Sequence, residues 1–163
     1  MENPDNSMRC PWCGDDPLYV AYHDDEWGRP EHDPRRLFQL LMLESFQAGL
    51  SWITVLRKRS AFRAAFHGFA PEIIATWSEP QVDRLLQNPG IIRHRGKIEG
   101  TIRGARAFLR IEAAQGFAPF LWSFAPPPGP QPRTMADIPG QTVQSQAMSR
   151  ALRAEGFSFV GPT

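Results

Sequence analysis

The sequence predicts an all-α fold, a single helical bundle. Three observations carry this. Apolar residues recur at three- and four-residue spacing through most of the chain, candidate helices open on capping residues, and alternating strand patterns are nearly absent. With 163 residues, one domain spanning 1–163 is expected, long enough for a sizeable core that five Trp and eleven Phe can fill.

The elements follow in order. Asp33 can cap a helix with Pro34 at its first position, continued by "RRLFQLLMLESFQAG" and ended by Gly49. Ser51 caps the next, "WITVLRKRSAFRAAFH", which stops at Gly68. Pro71 opens a short helix to Trp77, and Ser78 caps "EPQVDRLLQ", which ends before Asn88-Pro89-Gly90. A long helix is expected from about Arg95 to Gln115, where Ile98, Ile102, Ala105, Phe108, Leu109 and Glu112 keep helical spacing. Gly96, Gly100 and Gly104 weaken it but let another backbone approach closely. "PFLWSF" reads as a short helix or an extended piece, and 125–133, "APPPGPQPR", as a stiff connector. A last helix, "SQAMSRALRAE", stops at Gly156 before "FSFVGPT".

No apolar run approaches the roughly 20 residues needed to cross a bilayer. The start, "MENPDNSMRC", lacks the basic-then-apolar profile of a signal peptide, so a soluble cytoplasmic monomer is expected. Cys10 and Cys13 form one CxxC; without a secretory signal no structural disulfide is expected, leaving free thiols or metal ligation.

Net charge is only +1, yet it is unevenly spread. Residues 1–33 hold nine acids against Arg9 and Arg29, while 91–110 hold Arg93, Arg95, Lys97, Arg103, Arg106 and Arg110 against Glu99. Charge alone favours a solvated helix face, although a local basic surface can also hold a polyanion. The stretch "NPGIIRHRGKIEG" (88–100) sharpens the second possibility. Helix, tight turn and a helix starting amid cations form a helix-hairpin-helix arrangement. Amides exposed at Gly90 and Ile91, with the positive end of the following helix dipole, would suit a phosphate. Arg93, Arg95 and Lys97 would add charge around it. A plain turn between two core helices remains the alternative.

Glu44 stands out for a different reason. It lies seven residues after Leu37, four after Leu40 and three after Leu41, along the apolar face of its helix. A buried carboxylate is costly unless paired. Either an arginine or a capping contact satisfies it, or Tyr19, Tyr22, Trp27 and Trp52 build a stacking box around it.

Read together, "GIIRHRGKI", "DPLYVAYHDDEWG" (16–28), "LESFQAGLSWITVLRKR" (43–59) and "GFSFVG" (156–161) resemble the DNA-3-methyladenine glycosylase I family, a branch of the helix-hairpin-helix DNA glycosylases. The match runs from about Cys10 to Gly161 in one order. The resemblance implies a monofunctional hydrolase of base-excision repair that acts on double-stranded alkylated DNA and releases 3-methyladenine. It places Glu44 at the base-recognition carboxylate, with Tyr22 and Trp52 as stacking walls and Tyr19, Trp12 and Trp27 as further pocket members. Leu50, after Gly49, would be an apolar wedge filling the gap left in the duplex. Gly90, Ile91, Arg93, Arg95 and Lys97 would contact DNA, Lys97 facing a phosphate.

The family also holds a structural zinc. Cys10 and His23 match the N-terminal pair of its ligands, but the C-terminal His and Cys pair would lie beyond "GFSFVG", in a segment this chain lacks. The expectation is therefore a half-site, short of the usual four ligands. Three other readings stay open on the residues alone. One is a DNA-binding module without catalysis. Another is a related alkylpurine glycosylase using Asp137, which otherwise reads as a turn residue of "MADIPG". The third is a CxxC redox or metal protein.

Overall fold

The computed structural model describes residues 9–127, 129, 132, 134 and 137–163. Among them the fold is helical without strands, as the periodicity predicts. The helices are α1 (Pro17–Asp25), α2 (Pro34–Gln47), α3 (Trp52–Ala65), α4 (Pro71–Ile74), α5 (Glu79–Leu86), α6 (Arg95–Ala114), α7 (Phe117–Trp122) and α8 (Val143–Ala154), with 3-10 turns at Pro11–Cys13 and His67–Phe69. No helix among the described residues is long and apolar enough to cross a membrane.

Local chemistry explains the starts. The Asp33 carboxylate accepts from the Arg36 amide at 2.8 Å while Pro34 supplies a first residue that needs no acceptor. Asp16 does the same for α1, accepting from Leu18 and Tyr19 ahead of Pro17. α1 was not expected from the sequence; its apolar residues form no continuous stripe, and none of its side chains is fully buried. Ser78 and Gln81 close a reciprocal capping box on α5, and Thr142 and Ser145 close one on α8. His94 caps α6 through Nδ1, which accepts from the Lys97 amide at 3.2 Å. Glu112 reaches forward from α6 to cap α7, its Oε2 accepting from the Phe117 amide at 2.6 Å.

The core is aromatic. Phe38, Phe46, Phe62, Phe66, Phe69 and Phe117 are fully buried and pack with Leu43, Val55, Ile74 and Ile98. Each such side chain contributes roughly 1.5–3 kcal/mol relative to exposure. α6 is the central strut, packed on α2, α4, α5 and α7, while α3 packs on α2 and α1 lies against α3. The α6 glycines do what their spacing suggests. A Cβ at Gly104 would stand 3.1 Å from Phe157 and 3.2 Å from Met42, and one at Gly100 would press on Ser158. The bare helix face thus lets the segment after α8 lie flat on α6, held from the other side by Ser149, whose Oγ donates to the Val160 carbonyl at 2.6 Å.

Much of the basic face of α6 is structural. Arg106 donates to the Ala75 and Trp77 carbonyls beyond α4, Arg110 to the Glu155 carbonyl and Arg103 to Ser158. These cations tie neighbouring segments to α6, a role that neither the solvated-face nor the polyanion reading of the charge included.

Candidate functional site

Residues Arg36, Gln39, Leu40 and Glu44 recur at helical spacing and turn one face of α2 into the wall of a cavity of about 760 Å³. Tyr22 from α1, the 26–31 segment and Arg59 and Arg63 from α3 complete the lining. Glu44 is not sealed in the core, as its position on an apolar helix face suggested; its side chain is open to the cavity. The residue is exposed there, although much of the side chain is surrounded by protein. The surrounding protein desolvates the carboxyl and raises its pKa above the ordinary glutamate value. Among the described residues no arginine or capping amide pairs with it.

The aromatic residues gather beside it. Tyr22 and Trp27 line the cavity with Glu44. The Trp52 ring stands 5.5 Å from Tyr22. Trp12 sits behind, 5.0 Å from Tyr19, 6.4 Å from Tyr22 and 5.2 Å from Trp27. Tyr19, Trp12 and Trp52, expected as pocket members, are not among the cavity-lining residues; they pack against the rings that are. The Trp52 indole N–H is buried without a hydrogen-bond partner. Burial, reinforced by the Glu44 charge, pushes the Tyr22 phenol up to about 12, so it stays a neutral donor.

A contact with no local sequence signature fixes this wall. Arg59 of α3 makes hydrogen bonds of 2.6 and 2.8 Å to the two carboxylate oxygens of Glu26, the cap of α1. The Glu26 and Trp27 amides both donate to the Tyr22 carbonyl.

The turn after α5 departs in several ways from its expected form. Gly90 has no positive φ; glycine is needed there because a Cβ would meet Ala61 of α3 at 3.1 Å. The Gly90 and Ile91 amides are not free, since both turn inward to Asn88, and the Ile91 side chain is buried in the core. Further along, no acceptor is found among the described residues for the Ile92, Arg93, Arg95 and Gly96 amides. Arg93 is exposed. Arg95 is taken up by Glu79 and Asp83. Lys97 is the clearest correction. It is 5 % exposed, and its ammonium donates to the Phe46 carbonyl at 2.9 Å and the Ala48 carbonyl at 2.6 Å, so it cannot face a phosphate. Burial lowers its pKa.

Those carbonyls lie at the end of α2, where Gly49 at φ +79 swings the chain outward. Leu50 is exposed on the resulting tip. The tip is closed by the Leu50 amide donating to the Gln47 carbonyl and by Gln47 Nε2 donating back to the Leu50 carbonyl.

Cys10 and His23 adjoin, the Cys10 amide donating to His23 Nε2 at 3.3 Å, and Asp24 backs the ring at Nδ1 at 2.9 Å. Such carboxylate backing orients metal-bound imidazoles. Both cysteines are free, and the buried Cys13 thiol donates to the Cys10 carbonyl at 3.1 Å. Among the described residues no group of three His, Cys, Asp or Glu could hold a metal. Two donors fall short of the four that a structural zinc takes. Asp137 accepts from the Thr134 amide and hydroxyl and is not among the cavity-lining residues.

Comparison with known proteins follows the same lines. The chain is 52% identical over 158 residues to DNA-3-methyladenine glycosylase 1 of Escherichia coli, covering 95% of this chain and 84% of that protein. It is 45% identical to DNA-3-methyladenine glycosylase of Haemophilus influenzae, covering 96% and 86%. Its fold superposes on a crystal structure of 3-methyladenine DNA glycosylase I with a TM-score of 0.92 at 53% identity, covering 95% of this chain and 87% of that one. It superposes on the Staphylococcus aureus 3-methyladenine DNA glycosylase I at 0.89 and 39% identity, covering 94% and 84%. With a family model for methyladenine glycosylase matching residues 12–163, the chain belongs to the methyladenine glycosylase family.

Proposed function

We propose that this protein is a monofunctional DNA glycosylase that removes 3-methyladenine from double-stranded alkylated DNA in base-excision repair. The observation that supports this most is Glu44, an unpartnered and desolvated carboxylate facing a cavity it shares with Tyr22 and Trp27.

Methylation at N3 makes adenine cationic while it remains attached to deoxyribose. Aromatic faces attract that cation through their quadrupoles, and Glu44 adds opposite charge and a charge-assisted hydrogen bond. Neutral adenine gains far less. The nucleotide must leave the stack to arrive there. Leu50, exposed on its tip, would fill the gap. The free amides between Ile92 and Gly96, at the start of α6, with Arg93, would hold a backbone phosphate. When the bond between C1′ and N9 breaks, its electron pair neutralises the purine, which leaves as free 3-methyladenine. Water adds to C1′ and loses a proton. The leaving group carries its own activation, so the site supplies extrusion, fit and charge rather than a lysine nucleophile.

The test is release of free base from alkylated duplex DNA by the unaltered protein, Glu44→Gln and Trp52→Ala. Equal release by all three would remove the assigned pocket. No release by the unaltered protein, with salt-sensitive duplex binding retained, would select a binding module instead.

A further inference from the structure

Two lysines outside the cavity have their ammonium groups bound to backbone carbonyls, and they do so reciprocally. Lys97, in the first turn of α6 directly after the turn 87–94, reaches the Phe46 and Ala48 carbonyls at the end of α2. Lys58, on α3 directly after the Leu50 tip, reaches the Pro89 carbonyl at 3.1 Å and the Gly90 carbonyl at 3.5 Å in that turn. Each arm thus sends a cation to the backbone of the other.

The carbonyls at the end of α2 are divided without overlap. Helix ends leave their last carbonyls without intrahelical partners. Here the Phe46 and Ala48 oxygens go to Lys97, while the Gln47 oxygen between them closes the tip on the Leu50 amide. A cation at the negative end of the α2 dipole is favourable, and its position fixes where the tip begins. The remaining face of the Lys97 ammonium lies 5.6 Å from the Phe159 ring, whose neighbour His94 caps α6. On the opposite side Ala61 meets Gly90 closely, so Lys58 clamps a turn already seated on α3.

We infer that Lys97 and Lys58 are positioning residues: a crossed brace that sets the separation of the α5–α6 turn from the Leu50 tip, so that a duplex gripped by one arm is entered by the other. This rests on the proposed glycosylase reading for its DNA. It concerns the coupling of the two arms and not the base pocket, since neither lysine lines the cavity.

The test uses the full chain with Lys97→Met, Lys58→Met and Lys58→Arg. Three readouts are needed: binding of free 3-methyladenine by tryptophan fluorescence, release of base from alkylated duplex, and the fluorescence of a 2-aminopurine placed beside an abasic-site analogue, which rises as the tip unstacks it. Lys58→Met keeps a fold readout available if Lys97→Met fails to fold. The brace predicts that Lys58→Met binds free base within about twofold of the unaltered protein. It predicts about tenfold weaker duplex unstacking and base release, with Lys58→Arg restoring both. Methionine variants that unstack and release as the unaltered protein does would overturn the brace and leave the glycosylase reading intact. An unaltered protein that unstacks the probe but releases no base would overturn that reading, while loss of unstacking in Lys58→Met would still uphold the brace.

Discussion

Arg59 holds Glu26 through both carboxylate oxygens, and in doing so it pins the end of α1 to α3. Tyr22 sits one turn before that cap, and its carbonyl takes the Glu26 and Trp27 amides. One ion pair therefore anchors the segment that carries two aromatic rings of the Glu44 cavity. The pair is partly open to water, with Arg59 26% and Glu26 37% exposed, so its direct contribution to stability is about 1 kcal/mol at most. The effect on the cavity should be larger than the effect on the fold. Arg59→Ala is expected to lower the melting temperature by only a few degrees for a domain of this size. Free 3-methyladenine binding should weaken about tenfold, a loss that Arg59→Lys recovers only in part because a point charge cannot replace a two-pronged contact. Unchanged affinity in Arg59→Ala would show that α1 holds its place without this pair.

Glu44 separates function from stability. Its pKa is raised by burial, so the folded state holds the proton more tightly than the unfolded chain does. The sign follows. Stability due to this group is greatest at low pH and is lost as pH rises from the ordinary glutamate value of 4.5 through the raised folded value. At neutral pH the ionised carboxylate is a cost to the fold. Glu44→Gln should therefore be at least as stable as the unaltered protein near pH 7, and the difference should shrink toward pH 4. Other carboxylates, such as Asp24, held down to about 2 by Arg9, are common to both proteins and cancel in the comparison. Base release from DNA should fall by about thirtyfold or more, the loss expected when a charged hydrogen bond is removed. A Glu44→Gln melt that lies well below that of the unaltered protein at pH 7 would contradict the assignment of Glu44 as an unpaired group.

How much of this was legible in the sequence depends on the range of the interaction. Helices α2 to α6 were readable because Asp33, Pro71, Ser78 and the apolar spacing act within a few residues; Ser51 marks the start of α3 by position, its hydroxyl pairing with Thr54 Oγ1 and not with a cap amide. Helix α1 was not, since no stripe marks a helix whose side chains are mostly shared with solvent and one another. Glu44 stood out as a carboxylate among leucines, and of the aromatic residues grouped with it Tyr22 and Trp27 share its cavity. Lys97 was misplaced for a definite reason. A lysine among arginines after a turn has the composition of a phosphate grip, while the carbonyls that claim it lie about 50 positions earlier, with sequence separations of 51 and 49. Arg59 and Glu26 are 33 apart and share no local pattern. Pairings of this kind are set by packing, which a linear reading does not reach.

Gly90 offers a test of the turn independent of any lysine. The residue needs no unusual φ, so alanine is acceptable to its own backbone. The obstacle is Ala61 of α3, 3.1 Å from the new Cβ, and Asn88 Oδ1 at 3.0 Å. A methyl against a methyl cannot rotate away, so the turn must lift from α3. Gly90→Ala is expected to cost roughly 1–2 kcal/mol of stability, as overpacking does. It should also reduce duplex affinity and the steepness of its salt dependence, while free-base binding stays the same. A fully stable variant with normal duplex binding would mean that the turn tolerates displacement and that its seat on α3 is not what orients it.

Leu50 carries the complementary prediction. Its side chain is 42% exposed, so the fold gains little from it. The backbone bonds of the tip, Leu50 amide to Gln47 carbonyl and Gln47 amide group to Leu50 carbonyl, do not depend on the side chain. Leu50→Ala should melt within about 0.5 kcal/mol of the unaltered protein, as exposed substitutions generally do. Cutting the isobutyl group back to a methyl deprives an extruded nucleotide's gap of its apolar filling, and the bases on either side can close again. Release of 3-methyladenine from duplex DNA should then drop about tenfold, which is the value of one to two buried methylenes. Excision from single-stranded alkylated DNA should change far less, because no stack has to be held open. Equal losses on single and double strands would assign Leu50 to the base pocket and not to the wedge.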